Sequence, residues 1–219
     1  MPERAVVFDF DGVIVDSEAA HEEALVAAAG KVGLSVIRDE QPGRYAGLGD
    51  AEAFERIGAA NGQRLSEETM RVLIALKGVA FSAIAQTGAI RAYPPTLSLM
   101  RALADAGVPT GVCSGSHADD VEPLLESLEL LPLVRAVVTA DDVKRTKPDP
   151  EGYLLAASRL GVPPARCVAV EDSPAGIEAA AAAGYRVVAV CHTFSRERLG
   201  GAHEVCERID DLTVESLLA

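Results

Sequence analysis

The chain contains no tryptophan, and aromatic residues make up only 4% of its 219 positions. That scarcity disfavours an aromatic-rich β architecture, and abundant alanine points instead to closely packed helices. Positive charge is also in short supply. Twenty Lys and Arg face 33 Asp and Glu, giving a net charge of −13 and a pI of about 4.7. Such a surface repels nucleic acid and anionic lipid, so neither is expected as a partner. It repels a phosphorylated metabolite as well, so any phosphate chemistry must rest on a bound cation and a few local basic side chains. No apolar run approaches the roughly 20 residues needed to cross a bilayer. The N-terminus lacks a signal-peptide layout, because a strand-like run starts at Arg4 and continues to Phe10. The four cysteines, Cys113, Cys167, Cys191 and Cys206, form no CxxC and no zinc-like spacing. The first three sit in or beside valine-rich runs, the setting of small buried hydrophobes. A reducing, cytoplasmic compartment is expected. No G-x-G-x-x-G follows the first strand-like run, which excludes a dinucleotide-binding enzyme of that kind.

What is present is a rhythm. Apolar residues make up 49% of the chain, a globular composition, and they gather in short runs: Ala5 to Phe8, Val108 to Cys113, Val134 to Thr139, Cys167 to Val170 and Val187 to Cys191. Each is of strand length and apolar throughout, as expected for parallel strands covered on both faces. Helical segments separate most of them. Asp149-Pro150 and Ser173-Pro174 read as helix starts, with Gly161 and Gly184 as stops. The expectation is an α/β fold with a Rossmann-like, doubly wound parallel sheet. One interval breaks the pattern. Between Gly12 and about Tyr93 no buried strand is expected; helices are expected over Glu18 to Ala29, Ala51 to Ala60 and Glu67 to Ala85, with Tyr93-Pro94-Pro95 marking the return. This predicts a core of residues 1–14 and 91–219 with a helical cap inserted over 15–90.

Ligands of open α/β sheets bind beyond the carboxyl ends of the strands. Those ends carry Asp9-Phe10-Asp11-Gly12, Ser114-Gly115-Ser116 and Glu171-Asp172-Ser173, while a nearby loop carries Lys147-Pro148. Asp9 and Asp11, two apart, share one side of the chain. Like charges that close push their pKa values apart, and a divalent cation such as Mg²⁺ makes both useful. One ionised carboxylate can attack phosphorus while the other, protonated, serves the leaving oxygen. Gly12 lets the backbone approach a phosphate. Asp172 is the expected direct metal ligand, with Glu171 acting through water. Ser114 and the Gly115 amide are suited to phosphate oxygens, and Ser116 either joins them or caps the next helix. Lys147 would neutralise phosphoryl charge.

The run from Asp9 to Glu18 (DFDGVIVDSE) resembles the opening signature of phosphatases of the haloacid dehalogenase superfamily. Ser114, Lys147-Pro148 and Glu171-Asp172-Ser173-Pro174-Ala175-Gly176 match its later motifs in order and spacing. The resemblance implies an Asp9 nucleophile that forms an aspartyl-phosphate, Asp11 as general acid and then base, and Ser114 and Lys147 on the phosphoryl group. It also implies Mg²⁺ held by Asp9, the Asp11 carbonyl and Asp172. Asp11 argues against the dehalogenase branch. Neither Lys31 nor Lys77 is suitably placed for a phosphonate hydrolase. His21 is similar to a β-phosphoglucomutase histidine and would bind substrate. The mutase's basic cap loop, however, is replaced by Ala46-Gly47-Leu48-Gly49-Asp50, where Asp50 would repel a second phosphate. Gly47 to Gly49 are expected to form a substrate-selecting loop, with His21, Arg44, Leu48 and Lys77 as contributors. A phosphoryl-accepting receiver module is the rival of another class; it is shorter, lacks the insertion and places its acceptor on a later strand. The expected partner is a small phosphorylated substrate, and the expected state a monomer or weak homodimer.

Overall fold

A computed structural model describes residues 4–37 and 44–219. Strand β1 (Ala5–Phe8) leads into a two-residue strand, β2 (Val15–Asp16), and then into helices α1 (Glu18–Lys31), α2 (Asp50–Ala60) and α3 (Glu67–Gln86). The chain returns through β3 (Arg91–Ala92) and α4 (Pro94–Asp105). It then alternates β4 (Thr110–Cys113), α5 (Ala118–Ser127), β5 (Ala136–Val138), α6 (Glu151–Leu160), β6 (Cys167–Glu171), α7 (Pro174–Ala182) and β7 (Arg186–Val190). Strand β8 (Glu204–Cys206) and helix α8 (Val214–Leu218) close it.

Six strands form one sheet in the order β5-β4-β1-β6-β7-β8, every pairing parallel. The apolar runs are explained by burial on both sides. Ala5 and Val7 join one cluster with Tyr153 and Ala156 of α6 and Ile177 and Ala180 of α7. Val6 and Phe8, pointing the other way, pack with Met100 and Leu103 of α4 and Val121 and Leu125 of α5. This is the expected doubly wound α/β fold.

The inserted helices carry their own small core, in which Leu25 and Ala28 of α1 meet Phe54 and Ile57 of α2 and Leu73 of α3. Three details go beyond what the sequence predicts or depart from it. The interval after Gly12 holds a short, partly exposed ribbon in place of a buried strand: β2 pairs antiparallel with β3, Val15 against Ala92, and this ribbon ties the chain's exit to its return. It is too short for a periodicity signal. Strand β8 was not expected, since Glu204 is exposed and the run is only three residues long. Asp149 is not the N-cap of α6; Pro150 is, and the Asp149 carboxylate accepts from the Glu151 N–H at 3.0 Å. Ser173 does cap α7, accepting from the Gly176 N–H at 3.1 Å, and Pro174 follows it. All four cysteines are free thiols, and burial pushes Cys113 up to about 12. Among the described residues no helix is long and apolar enough to cross a membrane.

Candidate active site

The site lies at the carboxyl edge of the sheet, where each strand delivers its next residue. Asp9 extends β1, its N–H donating to the Val170 carbonyl of β6 at 2.9 Å. Ser114 extends β4 in the same manner, bonded to the Val138 carbonyl at 2.9 Å. Glu171 ends β6, with Asp172 directly after it. These side chains inherit the rigidity of the central strands.

Asp9, Glu171 and Asp172 are all buried, and one oxygen from each can be chosen so that all lie within 4.8 Å of one another. One ammonium serves two of them. Lys147 Nζ donates to Asp9 Oδ1 at 2.7 Å and to Glu171 Oε1 at 2.6 Å. Tyr153 Oη donates to the same Glu171 oxygen at 2.6 Å, and Ser173 Oγ donates to Glu171 Oε2 at 3.2 Å. Burial would lower Lys147, but Asp9 and Glu171 outweigh it and keep the ammonium charged. Asp9 and Asp172 are both pushed well above the usual carboxylate range. For Asp9 burial is the largest cause, then Glu171, with Lys147 pulling the other way. For Asp172 burial again leads, then Asp9 and Glu171. Three carboxylates against one ammonium leave an excess of negative charge, which is what a divalent cation would balance. Asp172 Oδ2 is buried with no hydrogen-bond partner among the described residues. An oxygen donor set with an orphan carboxylate oxygen suits Mg²⁺.

Two glycines make room for this cluster. A Cβ on Gly12, whose φ is +77°, would fall 1.8 Å from Asp172 Oδ2; one on Gly176 would fall 2.0 Å from Glu171 Oε1. The space beside Gly12 is therefore filled by a carboxylate of the cluster.

Asp11 faces elsewhere. Its Oδ1 accepts from Ser17 Oγ at 2.5 Å and lies 2.9 Å from His21 Nε2. Its Oδ2 accepts from Ser116 Oγ at 2.7 Å and Ser114 Oγ at 3.3 Å. Burial would raise Asp11, but the His21 charge and the bonds from His21, Ser17 and Ser116 hold it well below the usual range. These partners, the His21 ring among them, favour the ionised form of the Asp11 carboxyl, whereas the sequence predicts it protonated for the leaving oxygen. Its side chain also stands outside the acidic cluster, leaving only its main-chain carbonyl for the metal role the resemblance implied. Ser116 is not a helix cap; His117 holds that position.

A cavity of about 60 Å³ joins these groups, lined by Asp9, Asp11, Lys147 and Asp172 from the sheet edge and by His21, Gly47, Leu48, Gly49 and Asp50 from the insertion. Gly115 and Ser116 also line it. Ser114 and Glu171 sit behind the lining rather than in it. Arg44 is not among the lining residues, and Lys77 is 1% exposed, bound to Asp50 and Asp120. Reading past β7 would have added His192, whose Nδ1 is 2.8 Å from the Gly12 carbonyl, and Thr193, whose hydroxyl flanks Gly12 on the side of Asp172. Tyr153, on the inner face of α6, carries no local signal.

The model of the haloacid dehalogenase-like hydrolases matches residues 3–184. The chain is 31% identical to hexitol phosphatase A of Escherichia coli (strain K12), covering 96% of this chain and 94% of that one. It is also 31% identical to a phosphoglycolate phosphatase of Shigella boydii serotype 4 (strain Sb227), covering 88% and 82%. Among solved structures, a β-phosphoglucomutase from Clostridium difficile superposes with a TM-score of 0.87 at 27% identity, covering 99% and 95%. The chain belongs to the haloacid dehalogenase-like hydrolase family. Its curated relatives place it among that family's phosphatases.

Proposed function

We propose that the chain is a Mg²⁺-dependent phosphatase of a small phosphomonoester, with Asp9 as the nucleophile and the Asp11–His21 pair as the proton carrier. One observation carries this reading. The two carboxylates at the end of β1 are held by different partners, Asp9 by Lys147 at 2.7 Å and Asp11 by His21 at 2.9 Å. Neighbouring acids are thereby given separate tasks.

In the first half-reaction an Asp9 carboxylate oxygen attacks phosphorus and the ester P–O bond breaks. The leaving oxygen takes the proton shared between Asp11 and His21, and an aspartyl-phosphate remains. In the second, water gives a proton back to that pair as its oxygen attacks phosphorus, which releases inorganic phosphate and restores Asp9. Asp9, Asp172 and the Asp11 carbonyl would hold Mg²⁺, which when bound supplies positive charge to the phosphoryl oxygens. Glu171 and Tyr153 keep Lys147 aimed at Asp9. Ser114 and the Ser116 hydroxyl orient Asp11, and the Gly115 segment faces the phosphoryl position.

Residues 15–90 act as the cap. The cavity has room for a few water molecules at about 10–15 Å³ each, so an organic phosphate enters only when the cap swings away. Closure then excludes water. A mutase reading has the structural neighbour in its favour. Against it, Lys147 is the only Lys or Arg among the described lining residues, and it is already committed to Asp9 and Glu171. Free thiols fit the reducing cytoplasm. The test is phosphate release from a panel of phosphorylated metabolites with and without Mg²⁺. Asp9→Asn is expected to abolish release, and substantial activity in that variant would defeat the assignment.

A further inference from the structure

Asp50 opens α2 and reaches the cavity from the cap side. Its two oxygens have different fates. Oδ1 lies 3.2 Å from Lys77 Nζ, and that ammonium, buried under Phe81 at 4.9 Å from the ring centroid, is also 3.3 Å from Asp120 Oδ2 on α5. The Asp50 carboxylate is thus fixed in place by a buried cation that it shares with the core. Oδ2 is buried and has no hydrogen-bond partner among the described residues.

A buried carboxylate oxygen left unpaired is costly, and the cost is relieved by any ligand that donates to it. A hydroxyl group is such a ligand. A carboxylate or a second phosphate is the opposite, because it brings like charge and no donor. Among the described lining residues Lys147 is the one Lys or Arg, and it is bound to Asp9 and Glu171, while the buried Lys77 is divided between two acids. We propose that Asp50 selects the organic half of the substrate, accepting a hydrogen bond from a hydroxyl of an uncharged polyol or sugar and rejecting leaving groups that carry an anion. The inference rests on the phosphatase reading and names the substrate class of that same site. The Gly47–Gly49 loop beside it sets how closely this acceptor is brought to the reacting centre. A Cβ on Gly49 would come within 3.2 Å of Thr146 Oγ1 across the cavity mouth.

The test compares three phosphate esters: sorbitol 6-phosphate, with a hydroxylated neutral leaving group; 2-phosphoglycolate, with an anionic one; and p-nitrophenyl phosphate, which has no hydroxyl to donate. For the native enzyme, kcat/KM on the polyol ester is expected to exceed that on phosphoglycolate by about tenfold or more, the scale of a charge-assisted hydrogen bond. In Asp50→Ala the ratio of polyol to nitrophenyl activity should fall about tenfold, mainly through KM. In Asp50→Asn, which keeps the shape, the ratio of phosphoglycolate to polyol activity should rise. Equal losses on all three esters in both variants would mean a structural role and overturn the proposal, as would a native preference for phosphoglycolate. Absence of phosphate release from every ester by the native enzyme would instead defeat the phosphatase reading itself.

Discussion

At the scale of single residues, the site is organised by who is allowed near whom. Gly12 and Gly176 each leave a space into which a carboxylate fits, so any side chain there collides with Asp172 or Glu171. Elsewhere a half-buried acid lacks such accommodation. Glu18, at the start of α1, is raised by burial to about 7 from an ordinary 4.5, with His21 opposing and Asp11 and Asp16 adding to the rise. The folded state therefore keeps this proton up to about pH 7, whereas the unfolded chain loses it near 4.5. Stability falls as pH rises through that window and is level above it. Glu18→Gln removes the loss. Its melting temperature should exceed the native protein's by more at pH 8 than at pH 5, a gain of up to about 3 kcal/mol. A difference independent of pH would show that Glu18 is not so perturbed. Asp9, Asp11, Ser114, Lys147, Glu171 and Asp172 were legible because each terminates an apolar run or sits in its loop. Tyr153 was not, because its link to Glu171 is made across α6 and β6 and leaves no trace in local sequence. Nor was the setting of Asp11, on which Ser17 and His21 converge from the start of α1 and Ser116 from the loop after β4.

Among the elements, the strands and helices of the sheet follow from burial on both faces, and their runs of Val and Ala announced them. The β2–β3 ribbon and β8 escaped notice because two or three residues cannot establish a period. The decisive irregular element is the loop from Gly47 to Gly49. Gly47 has φ +70°, and a Cβ there would lie 3.2 Å from that of Ser173 in the core. The loop thus meets the sheet edge more tightly than a Cβ usually packs, in a backbone conformation that other residues adopt at a cost. Gly47→Ala should hinder closure, lowering kcat/KM by about tenfold or more while far-ultraviolet circular dichroism and the melting temperature stay near native. An unchanged kcat/KM would show that the loop does not close during turnover.

For the whole molecule, charge is the governing quantity. A chain of net charge −13 gathers three buried carboxylates, two of them bonded to one lysine, and a cation at that point would relieve the repulsion. Saturating Mg²⁺, at about a hundred times its dissociation constant, should stabilise the native protein by about 2.7 kcal/mol. At this chain length that is a rise in melting temperature of about 5–10 °C. Asp172→Asn should lose most of the rise. An equal shift in the variant would move the ion elsewhere. The composition announced the shortage of positive charge, and the ordered strand ends announced where the carboxylates gather; the packing of the inserted helices against the sheet edge was visible only in three dimensions.

The central claim is that phosphorus passes through Asp9. The most direct measurement is rapid acid quenching of the Mg²⁺-loaded enzyme during turnover of a phosphorylated substrate, followed by mass spectrometry of its peptides. The account predicts a phosphoryl group on Asp9 during turnover, with neither label nor turnover in Asp9→Asn. A phosphoryl group on any other residue, or continued turnover in that variant, would contradict it.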